Sequence, residues 1–403
     1  MGDGNVTGLF ERFLKKDPIF IEKVVLQSNY SPDTIPHRDN EINKIAQIIA
    51  PTLKLEKPSN LFIYGKTGTG KTLSVKHTTN KIIAVAKKES IPLEVFYLNC
   101  KLKKIADTEY RLIAELARKL GKEIPVTGLP TDEVYKIFYN ALDSEKKILI
   151  IVLDEIDQLV KKVGDELLYN LTRINEDLKN SMITLIGISN DLTFIDNIDP
   201  RVRSSLGEEE IIFPPYNAMQ IQSILKERIS KAFKEGVIEQ GLLPKCAAYA
   251  AREHGDARRA LELIRVAGEI AEREDNPIVL IKHLDKAEEK IERDRIQDIV
   301  SSQPKQFQTV LYAILNLTKK RNDNILTGEV YDIYKKLCSK IKLRPLTQRR
   351  ISDVIAELDM QGIINARVAS KGRYGRTREI SMSVQSHTLE KIDKILIKEL
   401  GLD

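Results

Sequence analysis

Residues 65–72 read Gly65-Lys66-Thr67-Gly68-Thr69-Gly70-Lys71-Thr72, a complete G-x-x-x-x-G-K-[ST] run. The apolar segment Leu61-Phe62-Ile63-Tyr64 leads into it, and a helix-compatible stretch leaves it at Thr72. A strand, a glycine loop and a helix in that order aim several backbone N–H groups at one point. Glycines let the main chain close around phosphate oxygens. The pattern predicts a nucleotide cradle in which Lys71 reaches the β- and γ-phosphates and the Thr72 hydroxyl ligates Mg2+.

Around this loop, apolar runs alternate with helical stretches. Leu61–Tyr64, Leu93–Leu98, Ile148–Leu153 and Ile183–Ser189 read as strands, with a fifth at Glu210–Phe213. Such alternation predicts an α/β fold, a parallel sheet with helices on both faces. A helical lead-in precedes the sheet: Asp39–Ala50 places Ile42, Ile45, Ala46 and Ile49 on one helical stripe. Pro214-Pro215 marks a boundary, after which the chain reads as helical to about Glu292, punctuated by Gly241, Gly255 and Pro277. The expected domains are a nucleotide-binding core over 1–213, a helical domain over 214–292 and a third domain over 293–403.

Charge separates the last domain from the rest. Residues 301–403 carry 19 Lys+Arg against 11 Asp+Glu, a net +8, while the rest carries 45 against 47, a net −2. A basic module on a near-neutral core suggests a polyanion-binding domain. It reads as helices at Lys305–Thr318, Gly328–Ile341 and Gln348–Gln361, then strands at Ile363–Val368 and Arg378–Val384, then a helix at Thr388–Leu400. Three helices and a hairpin form a winged helix-turn-helix. The three cysteines show no metal-ligand spacing, which fits a reducing compartment. No apolar run approaches the ~20 residues of a membrane helix, and the first twenty residues hold no secretion signal. The expectation is a cytoplasmic, chromosome-associated chain without membrane contact.

Asp154-Glu155 ends the apolar run Ile148–Leu153. Ligands bind at the C-terminal ends of strands in open parallel sheets. Asp154 is therefore expected to hold Mg2+ with Thr72, and Glu155 to polarise an attacking water. Asn190, at the end of the strand Ile183–Ser189, is placed to position the same water or to cap a turn. In the basic module, Thr347 is the expected N-cap of a recognition helix. Ile351, Val354, Ile355 and Leu358 form its buried stripe, leaving Gln348, Arg349 and Arg350 at the end that reaches base edges. The hairpin tip carries Lys371, Arg373, Tyr374, Arg376 and Arg378, suited to phosphate or minor-groove contact.

The phosphate loop, the Asp-Glu strand, the Asn-ended strand and the helical lid resemble the AAA+ ATPase arrangement. With the winged helix at the end, nearly the whole chain resembles the archaeal origin-recognition and cell-division-cycle initiator family. The resemblance implies an arginine finger at Arg201, with Arg203 in reserve, in Asp199-Pro200-Arg201-Val202-Arg203. It implies a γ-phosphate sensor at Arg258 in Gly255-Asp256-Ala257-Arg258-Arg259. It implies further nucleotide contacts at Tyr216 and Arg228, flanking the first lid helix, and at His37 and Arg38 in Pro36-His37-Arg38-Asp39-Asn40. A helical insertion after the second strand, here Lys101–Gly121, would touch DNA through Lys101, Lys103 and Lys104. The implied cofactors are ATP or ADP with Mg2+. The implied partners are origin duplex DNA, an MCM-type replicative helicase, and other copies or paralogues of the chain on DNA. The implied activity is slow, regulatory ATP hydrolysis that switches a replication initiator. A clamp-loader-type motor and a nucleotide-gated transcription regulator remain as alternatives. Clamp loaders usually end in a helical collar, and Asp154-Glu155 with the arginines favours a competent ATPase over a gate.

Overall fold

The computed structural model describes residues 11, 17–101, 108–253, 255–320, 325–370, 376–383 and 386–402. The chain divides into two compact units, Met1–Leu284 and Asp285–Asp403. The first is built on a five-stranded parallel sheet of order β2-β3-β4-β1-β5. Here β1 is Leu61–Tyr64, β2 Leu93–Asn99, β3 Ile148–Asp154, β4 Met182–Ser189 and β5 Glu209–Ile212. The fifth strand starts and ends one residue earlier than its hydropathy suggests. Phe213 makes one last bond, its N–H to the Tyr64 carbonyl at 2.8 Å. Pro214 then has no N–H with which to continue the ladder.

The interior strand β3 is buried at every position, as a strand covered on both faces must be. Its side chains divide by parity. Leu149, Ile151 and Leu153 join a cluster with the helices Glu109–Lys119 and Thr131–Leu142. Ile150 and Val152 join another with Ile45, Ile49, Val75 and Ile82, from the lead-in helix Asp39–Ile49 and the phosphate-loop helix Lys71–Lys88. The same parity carries Asp154 onto the face of the phosphate-loop helix.

The helical part of this unit comprises Ala218–Ala232, Leu242–Arg252 and Ala257–Arg273. Asn217 and Gln220 form a reciprocal capping box on the first. The incoming segment packs here. The Phe20 and Phe233 rings lie 4.5 Å apart, and a Cβ on Gly268 would stand 2.4 Å from the Phe20 ring. The helix Ile281–Ser302 carries the chain into the second unit.

The second unit holds the helices Lys305–Thr318, Thr327–Lys340, Gln348–Met360 and Ser386–Leu400. Its antiparallel sheet has order β6-β8-β7, with β6 Ile325–Leu326, β7 Ile364–Ser370 and β8 Arg376–Met382. The expected two strands thus become three. At two residues, β6 is too short to leave a periodic signal, and only pairing of Ile325 with Ile380 reveals it. The recognition-helix stripe Ile351, Val354, Ile355 and Leu358 is buried, in one core with Ile314, Tyr334 and Ile380. Lys371, Arg373 and Tyr374 lie outside the described residues, as do Lys103, Lys104 and the side chain of Arg376.

Candidate nucleotide site and nucleic-acid face

The phosphate loop follows β1 and caps the helix Lys71–Lys88 with Gly70 in the left-handed region, φ +90°. Gly68 is left-handed as well, φ +73°, a conformation that costs any other L-residue. Lys71 folds back over the loop, its Nζ donating to the carbonyls of Gly65 at 2.7 Å and Lys66 at 2.8 Å. Burial pushes this ammonium down to about 8, and the neighbouring Arg258 adds to the effect. Thr69 braces the loop from within by donating to the Lys66 carbonyl, while Thr67 is its exposed tip.

Thr72 and Asp154 meet beside the loop. The Thr72 hydroxyl donates to the Asp154 carboxylate at 3.0 and 3.2 Å. Both are hard oxygen donors at the junction of a helix N-terminus and a strand end, which fits Mg2+ shared with phosphate oxygens. Among the described residues, no group of three or more His, Cys, Asp or Glu would hold a metal without such help. The Tyr97 hydroxyl donates to the same carboxylate, and burial drives its pKa well above the ordinary phenol range. Glu155 is left-handed, φ +57°. This turn ends β3 and starts the helix Ile156–Val163, swinging the carboxylate to the wall of a cavity of about 340 Å³ that Lys71, Thr72, Asp154, Asn190 and Arg258 also line. Lys101 approaches Glu155 at 3.9 Å, but the lysine is largely exposed and the pair is weak.

Asn190 is held by a neighbour that sequence reasoning missed. The buried Asp157 carboxylate accepts from the Ser189 hydroxyl at 3.1 Å, and that hydroxyl accepts from the Asp191 N–H at 3.0 Å. The clamp joins the ends of β3 and β4 and fixes the turn that carries Asn190. The run Asp154-Glu155-Ile156-Asp157 held the signal, because the helix turns Asp157 back beneath the strand ends.

The helical domain closes onto the loop at Gly68. The Ala257 N–H reaches the Gly68 carbonyl at 3.3 Å, and Asp256 caps the helix Ala257–Arg273 by accepting from the N–H groups of Arg258 and Arg259. Arg258 thereby stands at the rim of the cavity. A second, more apolar cavity of about 250 Å³ adjoins it, lined among others by Tyr30, Tyr216, Ile224 and Arg228. Arg228 does not flank the first lid helix but sits within it. Its guanidinium is buried over the Tyr30 ring at 4.6 Å, donates to the Val25 carbonyl at 3.4 Å, and loses basicity through desolvation.

Arg38 takes a position other than the expected nucleotide contact. It is 2% exposed. Its guanidinium donates to the carbonyls of Thr69 at 2.8 Å and Pro214 at 2.5 Å and stacks on Tyr216 at 3.9 Å. It ties the back of the phosphate loop to the start of the helical domain, and neither it nor His37 lines the two cavities. The sequence could not separate a contact from a brace, because both use an arginine near the loop.

Arg201 and Arg203 sit on the short helix Pro200–Leu206, exposed and away from both cavities of their own chain. Arg201 pairs with its own N-cap, Asp199, at 2.8 Å, and Arg203 with Asp196 at 3.1 Å. In the second unit, Thr347 caps the recognition helix, accepting from the Arg350 N–H at 3.4 Å. Gln348 and Arg349 share a concave surface with Arg378 of β8 and with Thr327 and Gly328 at the start of another helix. Arg350 points along the helix to Asp353, 3.5 Å away.

Comparison with known proteins agrees with this architecture. Three family models match: an AAA domain over 55–194, a Cdc6 AAA+ ATPase-type lid domain over 222–289, and a CDC6 C-terminal winged helix domain over 298–392. An ORC1-type DNA replication protein of Pyrococcus abyssi is 53% identical, covering 95% of this chain and 92% of its own. ORC1-type DNA replication protein 1 of Methanosarcina mazei is 50% identical, with 99% and 95% covered. The solved structure of the Aeropyrum pernix ORC1 protein in complex with DNA superimposes with a TM-score of 0.84 at 43% identity, covering 95% of this chain and 98% of that one.

Proposed function

The chain belongs to the ORC1/Cdc6 family of DNA replication proteins, and from that membership we propose that it is an ATP-switched initiator bound to duplex DNA at replication origins. DNA replication is the role its relatives carry in their names, and the solved neighbour in complex with DNA supports DNA binding by this chain. Membership also decides against the clamp-loader and transcription-regulator readings, since lid and winged helix both match Cdc6 models.

One observation carries the switch. The helical domain touches the phosphate loop through Ala257 and Asp256 while presenting Arg258 to the cavity that Lys71, Thr72 and Asp154 line. A nucleotide gripped on both sides biases the angle between core and lid, because only a ligand with different affinity for two arrangements shifts them. On this reading Lys71 leaves its loop carbonyls for phosphate oxygens, and Thr72 and Asp154 hold magnesium. When bound, that ion neutralises charge on the transferring phosphoryl group. Glu155 takes the proton of the attacking water, Asn190 orients that water, and Arg258 senses the γ-phosphate. Arg201, turned outward, serves a neighbouring copy. Hydrolysis is slow and regulatory, and the assembled protein helps to load an MCM-type helicase as a chromosome-associated, cytoplasmic factor.

Thr347, Gln348, Arg349, Arg350 and Arg378 form the DNA face of the second unit, and Lys101, on the first unit, makes a separate DNA contact. Footprinting of the whole protein on chromosomal fragments tests the reading. Protection confined to discrete sites, and weakened by Arg349→Ala, is the expected result. Uniform protection of all fragments would remove the origin-specific role.

A further inference from the structure

We propose that Tyr97 is a positioning residue for the magnesium-holding carboxylate, acting through Asp154 without touching nucleotide chemistry itself. The inference rests on the reading that Thr72 and Asp154 hold Mg2+. In the parallel register, Tyr97 is opposite Val152 and Asn99 opposite Asp154. Side-chain parity therefore puts Tyr97 and Asp154 on the same face of the sheet, as diagonal neighbours. That separation is beyond a short side chain but within reach of a phenol. The Tyr97 hydroxyl donates to Oδ2 of Asp154. Thr72 donates to the same carboxylate, at 3.0 Å to Oδ2 and 3.2 Å to Oδ1.

Two hydroxyls on one buried carboxylate fix its plane. Asp154 is 5% exposed, so little water competes for that task. Asp154 is further anchored at its own main chain, where its carbonyl accepts from the Cys100 N–H at 2.8 Å. The Tyr97 ring is held in turn by the Lys76 ammonium, 4.3 Å from its centroid. Lys76 lies one helical turn beyond Thr72, so the phosphate-loop helix supplies both the metal-side hydroxyl and the cation that seats the tyrosine. Outer-shell donors of this kind orient a ligating oxygen, and their loss commonly weakens metal binding by about 10–100-fold.

The test is the Mg2+ dependence of ADP binding in the full chain, wild type against Tyr97→Phe. Phenylalanine keeps the ring and the Lys76 contact and removes only the hydroxyl. The Mg2+ concentration for half-maximal enhancement of labelled-ADP binding is expected to rise about ten-fold, while ADP affinity in chelator is unchanged. A purely structural role would move both quantities together, or the melting temperature alone. If Tyr97→Phe melts early, Tyr97→Leu is titrated in its place with the same expectation. A wild-type Mg2+ dependence that Tyr97→Phe reproduces overturns the inference and leaves the magnesium reading standing. A wild type indifferent to Mg2+ overturns both.

Discussion

Gly68→Ala probes the joint between loop and lid. Gly68 lies at φ +73°, and a Cβ there would stand 1.7 Å from Oδ1 of Asp256, 2.2 Å from its carboxyl carbon and 2.9 Å from its α-carbon. All three are closer than real Cβ atoms come. The first two clashes require the Asp256 side chain to rotate, releasing the N–H groups of Arg258 and Arg259, and a lost N-cap costs about 1 kcal/mol. The third is with main chain, so the backbone must retreat as well, breaking the Ala257-to-Gly68 bond at about 1 kcal/mol more. Only the closed arrangement bears these ~2 kcal/mol, equivalent to about 30-fold in affinity. The left-handed strain on alanine, about 1 kcal/mol, applies whether the lid is closed or open. Labelled-ADP anisotropy is therefore expected to show roughly 30-fold weaker binding, while urea unfolding registers the strain of about 1 kcal/mol. In Asp256→Ala the cap is already gone, so adding Gly68→Ala costs about 1 kcal/mol less than it does alone. Affinity within about three-fold of wild type, or strict additivity of the two substitutions, would refute the reasoning.

Three further outcomes are expected. Glu155→Gln should keep ATP affinity and lower turnover by about 100-fold or more, measured as phosphate release with and without DNA; unchanged turnover would move the base elsewhere. Lys71 is held near 8 in the folded protein against an ordinary 10.5, so between those values the unfolded chain binds more protons and this group's contribution to stability rises with pH. Phosphates restore the charged form, so ADP binding at about pH 9 should take up a proton. Calorimetry in two buffers of different ionisation enthalpy reads this uptake, and it should vanish in Lys71→Met. Arg349→Ala and Arg378→Ala should each reduce the salt slope of DNA binding by about 0.9 if each meets one phosphate; a loss confined to one sequence at unchanged slope would instead mark base contact.

The sequence was informative where the signal was local. The phosphate loop, the five strands, the N-cap at Thr347 and the recognition stripe all follow from spacing within a few residues. It was less informative where two distant segments had to meet. Arg38 and Arg228 look alike as arginines near a nucleotide motif. Yet one spends its donors on the Thr69 and Pro214 carbonyls outside the cavities, while the other lines the apolar cavity. β6 has two residues and no periodicity, and exists only because β8 passes beside it. Asp157 reads as an ordinary helix residue until Ser189 arrives from the next strand.

By itself, then, the sequence determined that this chain has a phosphate-loop motif, a strand ending in Asp154-Glu155 and a basic winged module. Those depend on backbone conformation, hydropathy period and net charge, each encoded in a short run. The tertiary structure decided which groups converge. Strand register set Tyr97 beside Asp154, a left-handed Glu155 turned its carboxylate to the cavity, and the lid brought Asp256 against Gly68. Convergence of this kind is a matter of angstroms between residues far apart in sequence, 188 positions for Gly68 and Asp256, and no local pattern carries that information.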